Sequence, residues 1–167
     1  MNYVNEDSSI ISTRKANENG CRVVTQDEYP LLFANDSYVC NKLFKRKLFI
    51  DNNIRFPDRA WYEDLKTLPK LVLKSDRILL SDKVFYNYLQ RVDSIMHVPN
   101  TDRNIEMIDT VRDVLSYYKK QNAFDKYYES LEYMTVLYVL VFATLRVASI
   151  DPKHHLLKKF NTFVKEN

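Results

Sequence analysis

The chain has 167 residues, 46% of them hydrophobic and 28% charged, which suits a single globular domain able to bury a core. Its one glycine, Gly20, excludes a P-loop or a glycine-rich dinucleotide fingerprint, because those backbones approach phosphate closely only where side chains are absent. A net charge of +3 dispersed along the sequence gives no footprint for nucleic acid.

Residues 9–13 and 21–25 read as short strands, joined through Asn17-Glu-Asn-Gly20 as a hairpin with a loop longer than two residues. Residues 26–36 are ambiguous, since Pro30 either opens a short helix or breaks it. Residues 39–51 turn helical, with Cys40, Leu43, Phe44 and Leu48 on one face and Asp51, Asn52 and Asn53 as the stop. Lys42, Lys45, Arg46 and Lys47 form the solvated face of that helix. Residues 54–57 are extended, because the residue before a proline is pushed out of the α region. The next helix carries Trp61, Leu65, Leu68 and Val72 as one apolar stripe, and Pro69 is expected to kink or interrupt it. Residues 77–80 and 83–89 read as two further strands.

Beyond Asn100 the pattern is helical, which divides the chain into a mixed part, 1–100, and a helical part, 101–167. Ile108, Val111, Leu115 and Tyr118 form one stripe. Residues 133–150 are apolar nearly all round, with Arg146 the only charge, and run to about the length of a membrane span. Diluted by Thr135, Thr144 and Ser149, the run is read here as a helix buried on several sides. Residues 153–164 place Leu156, Leu157, Phe160, Phe163 and Val164 on one side, with Lys158, Lys159 and Lys165 towards the other. Such a helix either lies on an anionic membrane surface or docks onto the helices before it. Two cysteines and no charged n-region ahead of an apolar run lead to the expectation of a reducing cytoplasm. Three histidines without a Cys or His ligand pattern argue against a structural zinc site.

The stretch that bears chemistry is residues 38–65, where Glu63 and Asp64 directly follow Trp61 and Tyr62 as an extended segment gives way to a helix. A sugar hydroxyl is a weak nucleophile until a base takes its proton. A first-turn carboxylate is favoured in its charged form by the helix dipole, and burial opposes this. On the residues alone, the commoner reading of the pair is acids enriched at a helix start. For Trp61, on the apolar stripe, core packing competes with stacking on a sugar.

The succession Asn41-Lys-Leu-Phe44, Ile54-Arg-Phe-Pro57 and Trp61-Tyr-Glu-Asp64 resembles the second half of family-two glycosyltransferases of the GT-A fold. The resemblance covers residues 10–96 and is strongest over 41–65. It implies an α/β, partial GT-A fold: a short mixed or antiparallel sheet with packed helices, then an all-helical C-terminal region. It also implies that Asp64 is the catalytic base of an inverting displacement on a nucleotide sugar, that Glu63 orients the acceptor, and that Trp61 and Tyr62 stack on the acceptor sugar. Residues 88–96, Tyr-Leu-Gln-Arg-Val-Asp-Ser-Ile-Met, resemble the family's Tyr-x-x-Arg-x-x-x-Ser-Ile turn with one fewer residue between Arg91 and Ser94. By that likeness Arg91 offsets diphosphate charge, Ser94 donates a hydrogen bond, and His97 reaches a metal ion.

The same likeness gives the intact enzyme a divalent cation, manganese or magnesium. No Asp-x-Asp occurs in the sequence, so neither a bound cation nor sugar transfer is expected of this chain alone. The implied partners are a nucleotide-sugar donor and a glycan acceptor of a surface polysaccharide. Peripheral association with the inner face of a membrane and self-association are both open. The alternative, from another class, is a non-catalytic helical module of the same ancestry that binds a partner protein or a membrane.

Overall fold

A computed structural model of the protein describes residues 1–18, 20–28, 37–91 and 102–167. The content is mixed α/β, with two small sheets at the front and a helical rear. Strand β1 (Asn2–Val4) pairs antiparallel with β2 (Ile10–Thr13), and a later strand, β5 (Asn87–Leu89), lies parallel on the other side of β1. A tight turn closes β1 onto β2: Ser8 takes a positive φ of 67°, and the Asp7 carboxylate accepts the Ser9 backbone N–H at 2.9 Å. Strand β3 (Arg22–Val24) pairs antiparallel with β4 (Ile78–Leu80) as a separate ribbon.

Strands fall at both ends of the expected hairpin, but β2 and β3 do not pair with each other. All four residues of β2 are exposed, so no buried face binds that strand to a partner further along the chain. It pairs instead with β1, which the polar start of the sequence concealed.

The helix expected over residues 39–51 is shorter in the structure: α1 covers Arg46–Asp51. Residues 38–42 form a turn, with the Lys42 N–H bonded to the Val39 carbonyl at 3.0 Å and the Lys42 ammonium to the Tyr38 carbonyl at 2.6 Å. Leu43, assigned by periodicity to an apolar face, is fully exposed. The stop, however, falls where Asn52 and Asn53 suggested. Asn53 adopts φ 49°, Asn53 N–H bonds the Ile50 carbonyl at 3.3 Å, and Ile54 N–H bonds the Phe49 carbonyl at 3.0 Å. These are the paired bonds of a Schellman motif, in which an asparagine takes the left-handed position. The motif buries Ile54, which joins Leu68 and Leu71 in a small cluster with Phe49 against it.

Helix α2 (Glu63–Leu73) runs through Pro69 without a break. Leu65 and Leu68 of its apolar stripe are buried. Its neighbour is α3 (Glu106–Lys120), preceded by a 3₁₀ turn over Asp102–Ile105. The Tyr118 hydroxyl donates to the Pro69 carbonyl at 2.8 Å, and Lys70 forms an ion pair with Asp113. The α3 stripe read from sequence, Ile108, Val111, Leu115 and Tyr118, is buried throughout.

The rear core is completed by α4 (Tyr128–Thr135), a π-helical stretch over Val136–Ala143, α5 (Thr144–Ala148) and α6 (His155–Glu166). Leu156, Phe160 and Phe163 of α6 are buried, so this amphipathic helix docks its apolar side onto the core. The apolar run over residues 133–150 is buried along one side only. Met134, Val139, Ala143 and Val147 face the core, whereas Tyr133, Leu140, Val141, Phe142, Leu145 and Ile150 are exposed. The helix that contains most of it, Asp125–Ala148, is long and apolar enough to cross a membrane by length and composition alone. Cys21 and Cys40 are free thiols.

Three substitutions separate the terms that hold this rear together. Tyr118→Phe removes one buried hydrogen bond and is expected to cost about 0.5–1.5 kcal/mol. Leu131→Ala, at a fully buried position, is expected to cost about 2–5 kcal/mol. Leu145→Ala, on the exposed side, should stay within about 0.5 kcal/mol of the parent. Urea denaturation monitored by circular dichroism gives all three differences.

Candidate functional site

The site is built around the first turn of α2. Tyr62, the residue ahead of that turn, holds φ 62° and ψ 28°, a left-handed conformation that costs a non-glycine residue of order 1 kcal/mol or more. Side-chain bonds to the rear hold it there. The Tyr62 hydroxyl donates to Oδ1 of the buried Asn104 at 2.6 Å, and the Trp61 backbone N–H donates to Glu106 Oε2 at 2.8 Å. Burial raises the Tyr62 phenol pKa, opposed by Arg146. Glu106 also accepts from Arg103 at 2.7 Å. Burial pushes its carboxyl upward, but the bonds from Arg103 and the Trp61 amide outweigh burial and leave it below the ordinary value.

Trp61 and Tyr62 meet edge to face at 6.2 Å. The guanidinium carbons of Arg103 and Arg146 lie 4.8 and 5.2 Å from the Trp61 ring centroid. The indole is therefore half-buried and engaged by two cations from the helical rear, an attraction of about 0.5–1 kcal/mol each at partly exposed sites.

Asp64 makes its contacts on the opposite, front side. Its Oδ2 accepts the Val39 N–H at 3.1 Å, which ties the turn at residues 38–42 to the carboxylate. The Asp64 carboxyl is half-buried and its pKa is raised, first by burial and further by Glu63; the Val39 amide and the Lys42 ammonium oppose this. Glu63 itself is exposed.

Around Asp64 gather residues that the sequence did not single out as a site. Burial pushes up the Cys40 thiol, with the Asp64 charge adding to it. Burial likewise raises the Tyr88 phenol, with Cys40, Tyr3 and Asp64 among the charges that add to it. The Tyr88 ring packs at 5.8 Å from Tyr3 and 5.7 Å from Tyr38. The parallel pairing of β1 and β5 sets Tyr3 opposite Tyr88, and the Val39 bond brings Tyr38 to the same place. The only signal for this cluster in the sequence was the unusual number of tyrosines, twelve, which does not say which of them meet.

Arg91 is exposed, just beyond β5, three residues after Tyr88 in the chain. Ser94 and His97 lie outside the described residues. Asp64 and Glu63 are the carboxylates of this turn; one Asp64 oxygen is taken by the Val39 amide, and the Lys42 ammonium acts on the same carboxylate. No protein-family model matches the chain, and no curated protein matches it.

The direction of the Asp64 shift fixes a pH signature. A carboxyl whose folded pKa lies above its unfolded value disfavours the charged form in the fold, so folding loses stability as pH rises from near 3.9 through the raised folded value. Asp64→Asn keeps an oxygen for the Val39 amide and removes the charge. The variant is expected to match the parent at pH 3.5 and to become the more stable of the two by pH 7. Denaturant melts across that range test this; a constant difference at every pH would show that burial does not dominate.

Proposed function

We propose that this chain carries the acceptor-side part of a nucleotide-sugar glycosyltransferase, with Asp64 as the base for an acceptor hydroxyl. The observation that supports this is a half-buried carboxylate at a helix start, biased towards protonation and set beside the Tyr3, Tyr38 and Tyr88 rings. In the displacement, the acceptor oxygen forms its bond to the anomeric carbon while its proton passes to Asp64. The bond from that carbon to the diphosphate breaks, and the electron pair leaves with the diphosphate. A carboxyl raised above the ordinary aspartate range holds that proton more firmly, which favours general-base catalysis.

The tyrosines suit an acceptor sugar, since their faces pack against its C–H groups and their hydroxyls bond its oxygens. In this reading Glu63, exposed beside Asp64, orients the acceptor, and Tyr62 sets the angle of the turn. Trp61 keeps a stacking role only where an acceptor shares the ring with Arg103 and Arg146. Arg91 would face the departing diphosphate. With no Asp-x-Asp in the sequence, transfer by this chain alone is not expected.

A second reading draws on a specific feature, the exposed apolar side formed by Leu140, Val141, Phe142, Leu145 and Ile150. A patch of that kind marks an interaction surface more often than an enzyme's working face. The chain would then be a helical module that docks on a protein or membrane, with the Asp64 cluster a structural relic.

Saturation-transfer NMR with short hexose and N-acetylhexosamine oligosaccharides separates the two. Saturable binding that weakens about tenfold in Tyr88→Ala, the value of one lost aromatic contact, is the expected result. Binding to none of the oligosaccharides, or binding indifferent to Tyr88→Ala, would overturn the acceptor reading in favour of the module. Titration with UDP-sugars in the presence of manganese should give no transfer above that of Asp64→Ala.

A further inference from the structure

Among the described residues, one group of side chains outside the Asp64 cluster brings three metal-ligating atoms together: Asp102, His154 and His155, whose ligand atoms all lie within 4.8 Å of one another. The three come from two places in the fold. Asp102 opens the 3₁₀ turn ahead of α3, while His154 and His155 are the N-cap and first residue of α6. The turn before α6 is fixed by the His154 N–H on the Asp151 carbonyl at 3.2 Å and the Lys153 N–H on the Asp151 carboxylate at 2.9 Å. That turn directs both imidazoles to one side, with ring centroids 4.5 Å apart and planes inclined by 33°.

We propose that Asp102, His154 and His155 form a binding site for one divalent transition-metal ion of the zinc, nickel or copper class. The spacing favours it. Bonds of about 2.0–2.1 Å in a tetrahedral site place ligand atoms about 3.3 Å apart. His154 Nε2 already stands 3.4 Å from Asp102 Oδ1. The widest separation, at most 4.8 Å, therefore closes by no more than about 1.5 Å to reach that tetrahedral edge. Asp102 and His155 are both exposed and free to rotate through that distance, while His154 is the more deeply set anchor.

The donor set selects the class of ion. Two imidazoles and one carboxylate suit zinc, nickel and copper, whereas calcium and magnesium need more oxygen ligands than this group provides. Lys158 and Lys159 follow on the same helix, but both are exposed, so solvent and salt screen their charges from the site. Three protein ligands leave at least one coordination position for water or another small ligand.

The ion would also change a bond in the fold. His154 Nδ1 accepts the Leu156 N–H at 3.4 Å as the cap of α6, which puts the ring proton on Nε2, facing Asp102. Coordination through Nε2 requires the single ring proton to pass from Nε2 to Nδ1, so the long cap bond from the Leu156 N–H is exchanged for the bond to the metal. In return the ion ties the turn before α3 to the start of α6.

The test is calorimetric titration of the whole chain, prepared without a histidine tag, with nickel chloride. One ion per chain, bound more tightly than about 100 µM, is expected for the parent. Asp102→Asn combined with His155→Gln alters two exposed side chains and leaves the cap in place; it should weaken binding at least about tenfold while the fold, checked by circular dichroism, is unchanged. Nickel should raise the Tm of the parent but not of the double variant. No binding to the parent tighter than about 100 µM would overturn the proposal, as would equal binding by the double variant, which would place the ion on the thiols or elsewhere.

Discussion

The first turn of α2 is the constraint on which the rest of the structure depends, because it is gripped from two directions at once. From the rear, Glu106 takes the Trp61 amide and Asn104 takes the Tyr62 hydroxyl. From the front, Asp64 takes the amide of Val39. The left-handed Tyr62 is the hinge between the two sets of bonds, and its conformational cost is offset by the hydrogen bonds on either side. Further along α2, Leu65 enters the large rear core while Leu68 and Leu71 hold Ile54 and the end of α1. One eleven-residue helix thus carries the acidic pair and links the front to the rear.

That arrangement decides the chemical character of Asp64. A first-turn carboxylate gains about 0.3–1 kcal/mol from the helix terminus, which lowers its pKa by less than about one unit. The Val39 amide and Lys42 act in the same direction. The net shift is nevertheless upward, because removal from water, with the Glu63 charge adding to it, outweighs the Val39 amide and Lys42. The Cys40 thiol and the Tyr88 phenol both feel the Asp64 charge, so the three groups share one half-buried neighbourhood. The Val39 N–H bonds to this carboxylate 25 residues further on, which ties the turn ahead of the short α1 to the start of α2.

This explains what was legible in the sequence. Periodicity found the α3 stripe and the buried side of α6, where packing against one neighbour repeats every three or four residues. The asparagines after α1 announced its stop, since local backbone chemistry sets the Schellman turn. The acidic pair was placed correctly at a helix start for the same reason. Strand β1 was not legible, because three residues carry no period and one of its partners lies more than eighty residues away in sequence. Nor was the tyrosine cluster, whose members arrive from three separate segments. The direction of Trp61 was only half legible: its place on the apolar stripe pointed rearward, but not to Arg103 and Arg146.

The front and rear of the molecule differ in what holds them. Among the described residues, sixteen are buried in one continuous cluster, fifteen from the rear and Leu65 from α2. At the front, β2 is exposed along its whole length, and Leu79 and Phe85 are largely open to solvent. A front of this kind contributes little burial of its own, so the Asp64 cluster keeps its geometry chiefly through α2. Exposed apolar side chains on strands and on the helix over Asp125–Ala148 are surfaces that a further protein segment, a partner or a lipid would cover at a gain of about 25 cal/mol per Å². The two functional readings part at this point. An acceptor-side piece would need its front surfaces covered by a donor-binding unit, because in that reading Asp64 would act only on a hydroxyl held against an activated sugar. A docking module needs the helical surface covered instead, and nothing about its role would depend on the charge state of Asp64.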